Sequence, residues 1–275
     1  MNARGGPLVS LNTGERMPVV GAGVYQVPPG VEARRVVQEA LSIGYRHIDT
    51  AQAYRNEADV GRALKESGIP REEVFLTTKL SPSNAGAALA RSSLIESLRK
   101  LETDYVDLYL IHWPVHGTRA ASWKTMEALA KEGLCRSIGV SNYAIRHLQE
   151  LEEVADTVPA VNQVEFHPFL YQRPLLEYCT SHHIQLEAYA PLARAERISN
   201  PAIAQVARET GRTPAQVMLR WGIQHGLVVI PKSMHEARLR ENFDVFDFTL
   251  DRTQVQMLDS LHEEYRTCWD PTDAP

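Results

Sequence analysis

Apolar and polar positions alternate along this chain in a repeating unit: a short, nearly continuous apolar run, then a longer amphipathic stretch. The runs end near Ala22, Asp49, Lys79, His112, Val140, Val164, Tyr189 and Ile230, at steps of 27, 30, 33, 28, 24, 25 and 41 residues. A strand–helix–strand unit takes about 30 residues. The spacing therefore predicts eight parallel strands, an α/β chain folded as a (β/α)8 TIM barrel rather than an open sheet. The longest step leaves room for an extra loop or helix before the last strand. Residues 106–111 (VDLYLI) and 227–230 (LVVI) have the unbroken apolar character of strands covered on both faces. Leu94, Leu98 and Leu101 recur at i, i+4 and i+7, which turns one helix face to the sheet. Thr213-Pro214-Ala215-Gln216 is a helix start, with Thr as cap, Pro in the first turn and Gln to close a capping box. Val217 and Trp221 behind it read as core. Ahead of the first run, Asn12-Thr-Gly-Glu within residues 8–17 reads as the turn of an N-terminal β-hairpin.

Composition narrows the class. A chain of 275 residues, 44% hydrophobic and 23% charged, suits a single barrel domain over 1–275 that needs no disulfides. The net charge is −5 and long runs of like charge are missing, so no nucleic-acid partner is expected. Cys135, Cys179 and Cys268 are odd in number and lack CxxC spacing, as in a reduced, cytoplasmic protein. Residues 1–7 hold no apolar run for a signal peptide, and no stretch is long enough to span a membrane. Without a long apolar helix face asking for a partner, a monomer is expected.

Active sites of such barrels gather at the C-terminal ends of the strands. The second run ends His47-Ile-Asp49, the third Thr77-Thr-Lys79, the fourth Ile111-His112-Trp113, and Tyr54 lies in the loop after Asp49. A buried lysine is costly unless a carboxylate pairs with it, and Asp49 on the neighbouring strand can supply one. The paired ammonium can hydrogen-bond the Tyr54 oxygen. A cation there favours phenolate, so the Tyr54 pKa is expected to fall from about 10 toward neutrality. A phenol tuned in this way gives its proton to a carbonyl oxygen as that oxygen becomes alkoxide. His112 can donate a second hydrogen bond and orient the carbonyl. Singly, each residue has an ordinary structural role: a capping Asp, a core Tyr, a paired Lys. Their coincidence at strand ends favours chemistry. His47, Asp49, His112 and His116 make a thin ligand set, and no metal is expected. His182-His183 reads as a solvated pair at a helix end. Gly21-Ala-Gly23 begins like a dinucleotide fingerprint, but Gln26 stands where the third glycine belongs and no acidic residue falls at the ribose position. The two glycines read as a tight turn at the end of strand one.

Seven stretches occur in one order at barrel spacing: Gly44-Tyr-Arg-His-Ile-Asp-Thr-Ala with Tyr54 and Asn56-Glu57; Thr78-Lys79-Leu80; Asp104-Tyr-Val-Asp-Leu-Tyr-Leu-Ile-His-Trp-Pro; Ile138-Gly-Val-Ser-Asn; Val161-Asn-Gln-Val-Glu-Phe-His-Pro; Glu187-Ala-Tyr-Ala-Pro-Leu; and Ile230-Pro-Lys-Ser. Through them the chain strongly resembles the aldo-keto reductase family along nearly its whole length. The resemblance implies a (β/α)8 barrel, with a C-terminal loop over the active site, that reduces aldehydes and ketones with NADPH. It implies the catalytic tetrad Asp49, Tyr54, Lys79 and His112, and nicotinamide contacts at Ser141, Asn142, Gln163 and Tyr189. It further implies a 2′-phosphate clamp of Lys232, Ser233 and Arg238, with Glu241 and Asn242 beside the adenine. Amide and hydroxyl side chains suit a carboxamide, a phenol ring suits the nicotinamide face, and Lys and Arg suit a phosphate.

Two departures stand out. Ser81 replaces a tryptophan common in the family, which predicts a roomier or wetter pocket. Ala190-Pro-Leu-Ala-Arg-Ala replaces a Gly-rich loop, leaving backbone amides or Arg194 for the pyrophosphate. Candidate pocket residues are Val24, Tyr25, Ala53, Ser81, Trp113 and Trp269. The expected substrate is a small-molecule carbonyl: an aldehyde, ketone, dicarbonyl or sugar-derived carbonyl. The competing expectation is an NADPH-binding sensor or scaffold with slow turnover, which would have no need of Lys79 and Asp49. A metal-dependent hydrolase barrel would differ in its sensitivity to chelator.

Overall fold

The computed structural model describes residues 5–274. Residues 1–4, part of the polar start noted above, and residue 275 lie outside the described residues. The chain opens with the expected hairpin. β1 (Leu8–Ser10) and β2 (Arg16–Pro18) pair antiparallel, with Val9 opposite Met17, and Gly14 takes the positive φ of 89° at their turn. Leu11 and Met17 cluster with Phe75, Leu108, Leu110, Val161 and Val228, so the hairpin plugs the N-terminal mouth of the sheet that follows.

That sheet has eight parallel strands in sequence order: β3 (Ala22–Gly23), β4 (His47–Asp49), β5 (Phe75–Leu80), β6 (Val106–Ile111), β7 (Cys135–Ser141), β8 (Val161–Glu165), β9 (Gln185–Tyr189) and β10 (Val228–Val229). A parallel bridge from Val20 to Val229, and a 2.9 Å bond from Gly21 N to Val229 O, close it into a barrel. Every residue of β5 and β6 is buried, the condition that produces unbroken apolar runs.

Between consecutive strands from β3 to β9 lie α1 (Val31–Ile43), α2 (Glu57–Glu66), α3 (Ala87–Leu101), α4 (Arg119–Lys131), α5 (Ile145–Glu152) and α6 (Arg173–Ser181). The α3 leucines 94, 98 and 101 all face the core. The long last step holds two helices, α7 (Pro201–Thr210) and α8 (Pro214–Gln224). Thr213 caps α8 in a closed capping box with Gln216, and Val217 and Trp221 are fully buried behind it. His182, at the end of α6, is half-buried and stacks on Tyr178 with ring centroids 4.0 Å apart, while His183 is exposed. Only His183 is solvated as expected; His182 is partly covered by the Tyr178 ring. After β10 come α9 (Glu236–Phe243) and α10 (Arg252–Asp259). The C-terminal segment then returns over the barrel: Thr267 N, Thr267 Oγ1 and Cys268 N donate to the carboxylate of Glu165, at the end of β8, at 2.7, 2.6 and 3.2 Å.

The two glycines of β3 and its approach serve close packing, not the tight turn expected from the sequence; neither has a positive φ. A Cβ on Gly21 would lie 2.5 Å from His47 Nδ1 and 2.9 Å from Ile230 Cγ2, and one on Gly23 would lie 3.1 Å from Ile230 O. The missing side chain at 21 is what lets the His47 ring sit inside the barrel. Gly21→Ala is expected to destabilise the protein by about 1–3 kcal/mol through overpacking. Urea unfolding would measure it, and an unchanged midpoint would contradict this packing.

Candidate active site

Asp49 closes β4, Lys79 lies one residue from the end of β5, and His112 immediately follows β6. Their backbones are thus fixed by strand pairing at the C-terminal mouth. Tyr54 rides on the short turn 52–54, whose two sides are pinned by buried polar side chains. Thr50 Oγ1 donates to Asn56 Oδ1 at 2.8 Å, and Asn56 Nδ2 donates to the carbonyls of Val24 and Val27 at 3.0 and 3.2 Å. Thr78 Oγ1 donates to Glu57 at 2.7 Å. The motif residues Asn56 and Glu57 therefore fasten the turn to the segment after β3 and to β5.

Lys79 is wholly buried. Its ammonium donates to Asp49 Oδ1 and Oδ2 at 2.6 and 2.7 Å and to Thr50 O at 3.0 Å, with Tyr54 Oη at 3.4 Å. Nζ also lies 5.0 Å from the centroid of the Tyr54 ring. The rings of Tyr54 and His112 meet edge-on, with centroids 5.6 Å apart. The four side chains expected to form one cluster are thus brought together.

The electrostatic balance differs from the expectation. The Tyr54 pKa lies above its ordinary value, not below it: burial penalises the phenolate most, and Asp49, Tyr25, Glu187 and Cys268 add to the rise. With both carboxylate oxygens of Asp49 on Nζ, the pair offers little net positive charge to its neighbour, and desolvation wins. The His112 imidazole is pushed down to about 3, first by burial and then by the charge of Lys79, so it is a neutral ring; its Nδ1 is buried without a partner.

Ser141, Asn142, Gln163 and Tyr189 form one polar cluster at the ends of β7, β8 and β9. Ser141 Oγ donates to Gln163 O at 2.9 Å, and Tyr189 Oη donates to Asn142 Oδ1 at 2.8 Å. Asn142, at φ 66°, donates from Nδ2 to His112 O and Ser141 Oγ at 3.1 and 3.0 Å. Gln163 joins this cluster to the first: its Nε2 donates to Asp49 Oδ2 and to Glu187 Oε2, both at 2.8 Å. Lys232 and Arg238 are exposed near the start of α9. The Lys232 amine is pushed down by partial burial and by the charge of Arg194, which places two cations side by side. Ser233 is tied into the turn before α9, accepting from His235 N at 3.1 Å. Glu241 accepts a hydrogen bond from Thr213, and Asn242 is buried.

Of the pocket candidates, Tyr25, Ser81 and Trp113 are half-buried, and Ala53 is exposed on the turn that carries Tyr54. Tyr25 packs on Tyr54 at 5.0 Å and on Trp269 at 6.4 Å between centroids, which brings the C-terminal segment to the mouth. Val24 is not on an open wall. Its side chain is fully buried in the main apolar core, and its backbone is bonded on both sides, Val24 N donating to Asp49 O and Val24 O accepting from Asn56. The 190–195 loop holds Ala190, Ala193, Arg194 and Ala195 at φ 45°, 48°, 51° and 64°, a costly left-handed run without glycine. Arg194 reaches Gln26 Oε1 and Thr267 O at 3.3 and 3.4 Å, spanning the cleft between β3 and the C-terminal segment.

Four residues at the site were given no role there by the sequence: His47 as a lumen residue, Glu187, Glu165 and Cys268. A Glu inside an apolar strand run was the available signal for Glu187 and Glu165. Glu187 is fully buried, with its pKa pushed up to about 8 by desolvation and then by Asp49. His47 is pushed down to about 3, chiefly by burial.

A buried ion pair beside a phenol, at the C-terminal mouth of a (β/α)8 barrel with a second cluster of amide and hydroxyl groups, is a layout for carbonyl redox chemistry. The Aldo/keto reductase family matches residues 21–263, and the chain belongs to that family of NADP-dependent oxidoreductases. It is similar to glyoxal reductase of Bacillus subtilis (strain 168), 44% identical over 265 residues and covering 96% of each chain. It is similar to methylglyoxal reductase of Escherichia coli (strain K12), 44% identical over 268 residues and again covering 96% of each. A solved aldo-keto reductase from Bombyx mori in complex with NADP superposes with a TM-score of 0.91 at 33% identity, covering 97% of this chain and 95% of that one.

The shifts fix a pH dependence of stability. His47 and His112, ordinarily near 6.5 when unfolded and about 3 when folded, contribute stability that is present above 6.5 and lost as pH falls. Glu187, 4.5 unfolded and about 8 folded, contributes stability that is present at low pH and lost as pH rises through 8. Below 6.5 the two imidazoles outweigh the one carboxyl; above 6.5 the carboxyl acts alone. Urea midpoints should therefore peak near pH 6.5, and a midpoint still rising from pH 7 to 9 would contradict these assignments.

Proposed function

We propose that this chain reduces small aldehydes, ketones and dicarbonyls to alcohols with NADPH, using Tyr54 as the acid. The observation that carries the proposal is the Tyr54 hydroxyl 3.4 Å from a buried ammonium that is itself held by Asp49. A binding protein has no use for such a pair, since burying two charges costs several kcal/mol per ion before pairing repays it.

The residues present suit the cofactor. The amide hydrogens of Asn142 and Gln163 are already spent within the protein, and what remains are acceptor lone pairs on Asn142 Oδ1 and Gln163 Oε1. Those match the two donors of a carboxamide NH2. Tyr189 offers its ring to the nicotinamide face. Lys232, Ser233 and Arg238 would hold a 2′-phosphate, Glu241 and Asn242 would lie beside the adenine, and Arg194 would face the pyrophosphate in place of a Gly-rich loop. When bound, the cofactor supplies a hydride to the carbonyl carbon.

The protein's part is to manage the proton. A neutral His112 ring has one N–H; with Nδ1 sealed away, Nε2 offers it to the carbonyl oxygen and fixes its direction. As negative charge builds on that oxygen, Tyr54 passes it the phenolic proton. The tyrosinate left behind is stabilised by Lys79 and then takes a proton from solvent. Because burial keeps the resting phenol protonated, the acid is available at neutral pH, and the ammonium acts when the charge appears. Tyr25, Trp113 and Trp269, with Ser81 and Ala53, form the substrate surroundings. The relatives named for glyoxal and methylglyoxal support dicarbonyls as a first panel. We place the whole chain in one barrel domain acting as a monomer in the cytoplasm.

Tyr54→Phe is expected to lower the rate of carbonyl reduction by about 10²–10⁴-fold while leaving NADPH binding, followed by fluorescence titration, nearly unchanged. A fully active variant would remove the acid assignment. Arg238→Ala should raise the KM for NADPH several-fold more than that for NADH; equal effects would remove the phosphate clamp.

A further inference from the structure

Below the Lys79–Asp49 pair, the lumen of the barrel holds a second carboxyl that the mechanism above does not use. Glu187 lies on β9 and His47 on β4, strands separated by β10 and β3, so their approach, Glu187 Oε1 to His47 Nε2 at 3.5 Å, is made across the interior. Glu187 Oε2 accepts from Gln163 Nε2 at 2.8 Å, and the same nitrogen donates to Asp49 Oδ2 at 2.8 Å. One amide group therefore joins two carboxyls. Among the described residues no Lys or Arg pairs with Glu187: Lys79 is taken up by Asp49, Thr50 and Tyr54. Glu187 Oε1 is buried without a hydrogen bond among the described residues.

We propose that Glu187 is a positioning residue held as a neutral carboxylic acid, and that its ionisation switches the proton donor off. The inference rests on Tyr54 as the acid and deepens that reading by naming what regulates it. Among the described residues, the groups facing Glu187 are Asp49 and His47 from β4, Lys79 from β5, Gln163 from β8 and Tyr54 above them; β10 sets the apolar Val228 opposite it. A second negative charge in this lumen would compete with Asp49 for the Gln163 amide. It would also oppose formation of tyrosinate, since negative charge at either carboxyl makes Tyr54 harder to ionise. The neutral acid keeps Asp49 as the one anion bound to Lys79, and lets Gln163 hold Asp49 without repulsion behind it. Burial with Asp49 nearby favours that neutral form through physiological pH, with loss of the proton at about 8.

Two measurements test this. The first is the pH profile of kcat/KM for reduction of methylglyoxal by NADPH in the wild type and in Glu187→Gln, which keeps the shape and the acceptor but cannot ionise. The wild-type rate should fall on the alkaline side as Glu187 loses its proton, and in the variant that limb should move up by at least one pH unit. Superimposable limbs would overturn the proposal. The second reads the wild-type protein alone, by infrared difference spectroscopy between neutral and alkaline pH with 13C-labelled glutamate. A carboxylic-acid C=O band present at neutral pH and replaced by carboxylate bands at alkaline pH is expected; a carboxylate already formed at neutral pH would overturn it, even if the variant failed to fold. Activity in Tyr54→Phe would instead sink the acid assignment while leaving the infrared result standing.

Discussion

The site depends on one interaction: the Lys79 ammonium, buried in the barrel, held by both oxygens of Asp49. Alone, either charge would be driven to its neutral form at that depth. Together they form a nearly neutral unit whose orientation is fixed by two adjacent strands. A phenol next to such a unit is not strongly acidified at rest. It keeps its proton, and it has a cation in reach for the moment the proton leaves. This distinction between resting and developing charge ties the geometry to reduction of a carbonyl.

The surrounding polar residues keep that unit in place. Asn56 and Glu57 pin the turn that carries Tyr54, Gln163 steadies Asp49, and Gly21 leaves room for His47 underneath. Glu165 fastens the C-terminal segment across the mouth through Thr267 and Cys268. Much of the polar chemistry inside the barrel is therefore structural, and it is concentrated in the upper layer because the hairpin and an apolar cluster close the lower end.

The barrel was legible because buried parallel strands write themselves as apolar runs at nearly regular steps, and the eight run ends fall at or within one residue of the eight strand ends. The pairing of Asp49 with Lys79 was legible for a similar reason: a charge inside such a run demands a partner on the next strand. Other features could not be read this way. The direction of the Tyr54 shift turns first on how deeply the phenol is buried and then on the carboxylates gathered around it, neither of which a local sequence pattern reports. In the Asp49–Gln163–Glu187 chain, Gln163 and Glu187 are neighbours on adjacent strands, but the link from Gln163 to Asp49 joins positions 114 residues apart across the lumen, a contact no local pattern encodes. Val24 was expected among the pocket residues, yet its side chain is fully buried in the main apolar core. The glycines before it suggested a turn, and their need is steric instead.

The central claim concerns where the proton rests before reaction. Carbon-13 NMR of ζ-labelled tyrosine, with Tyr54 assigned by its loss in Tyr54→Phe, reports that state directly. This account predicts a Tyr54 signal that keeps the phenol shift from neutral pH past 10.0, the ordinary tyrosine value. A phenolate shift at neutral pH would contradict it.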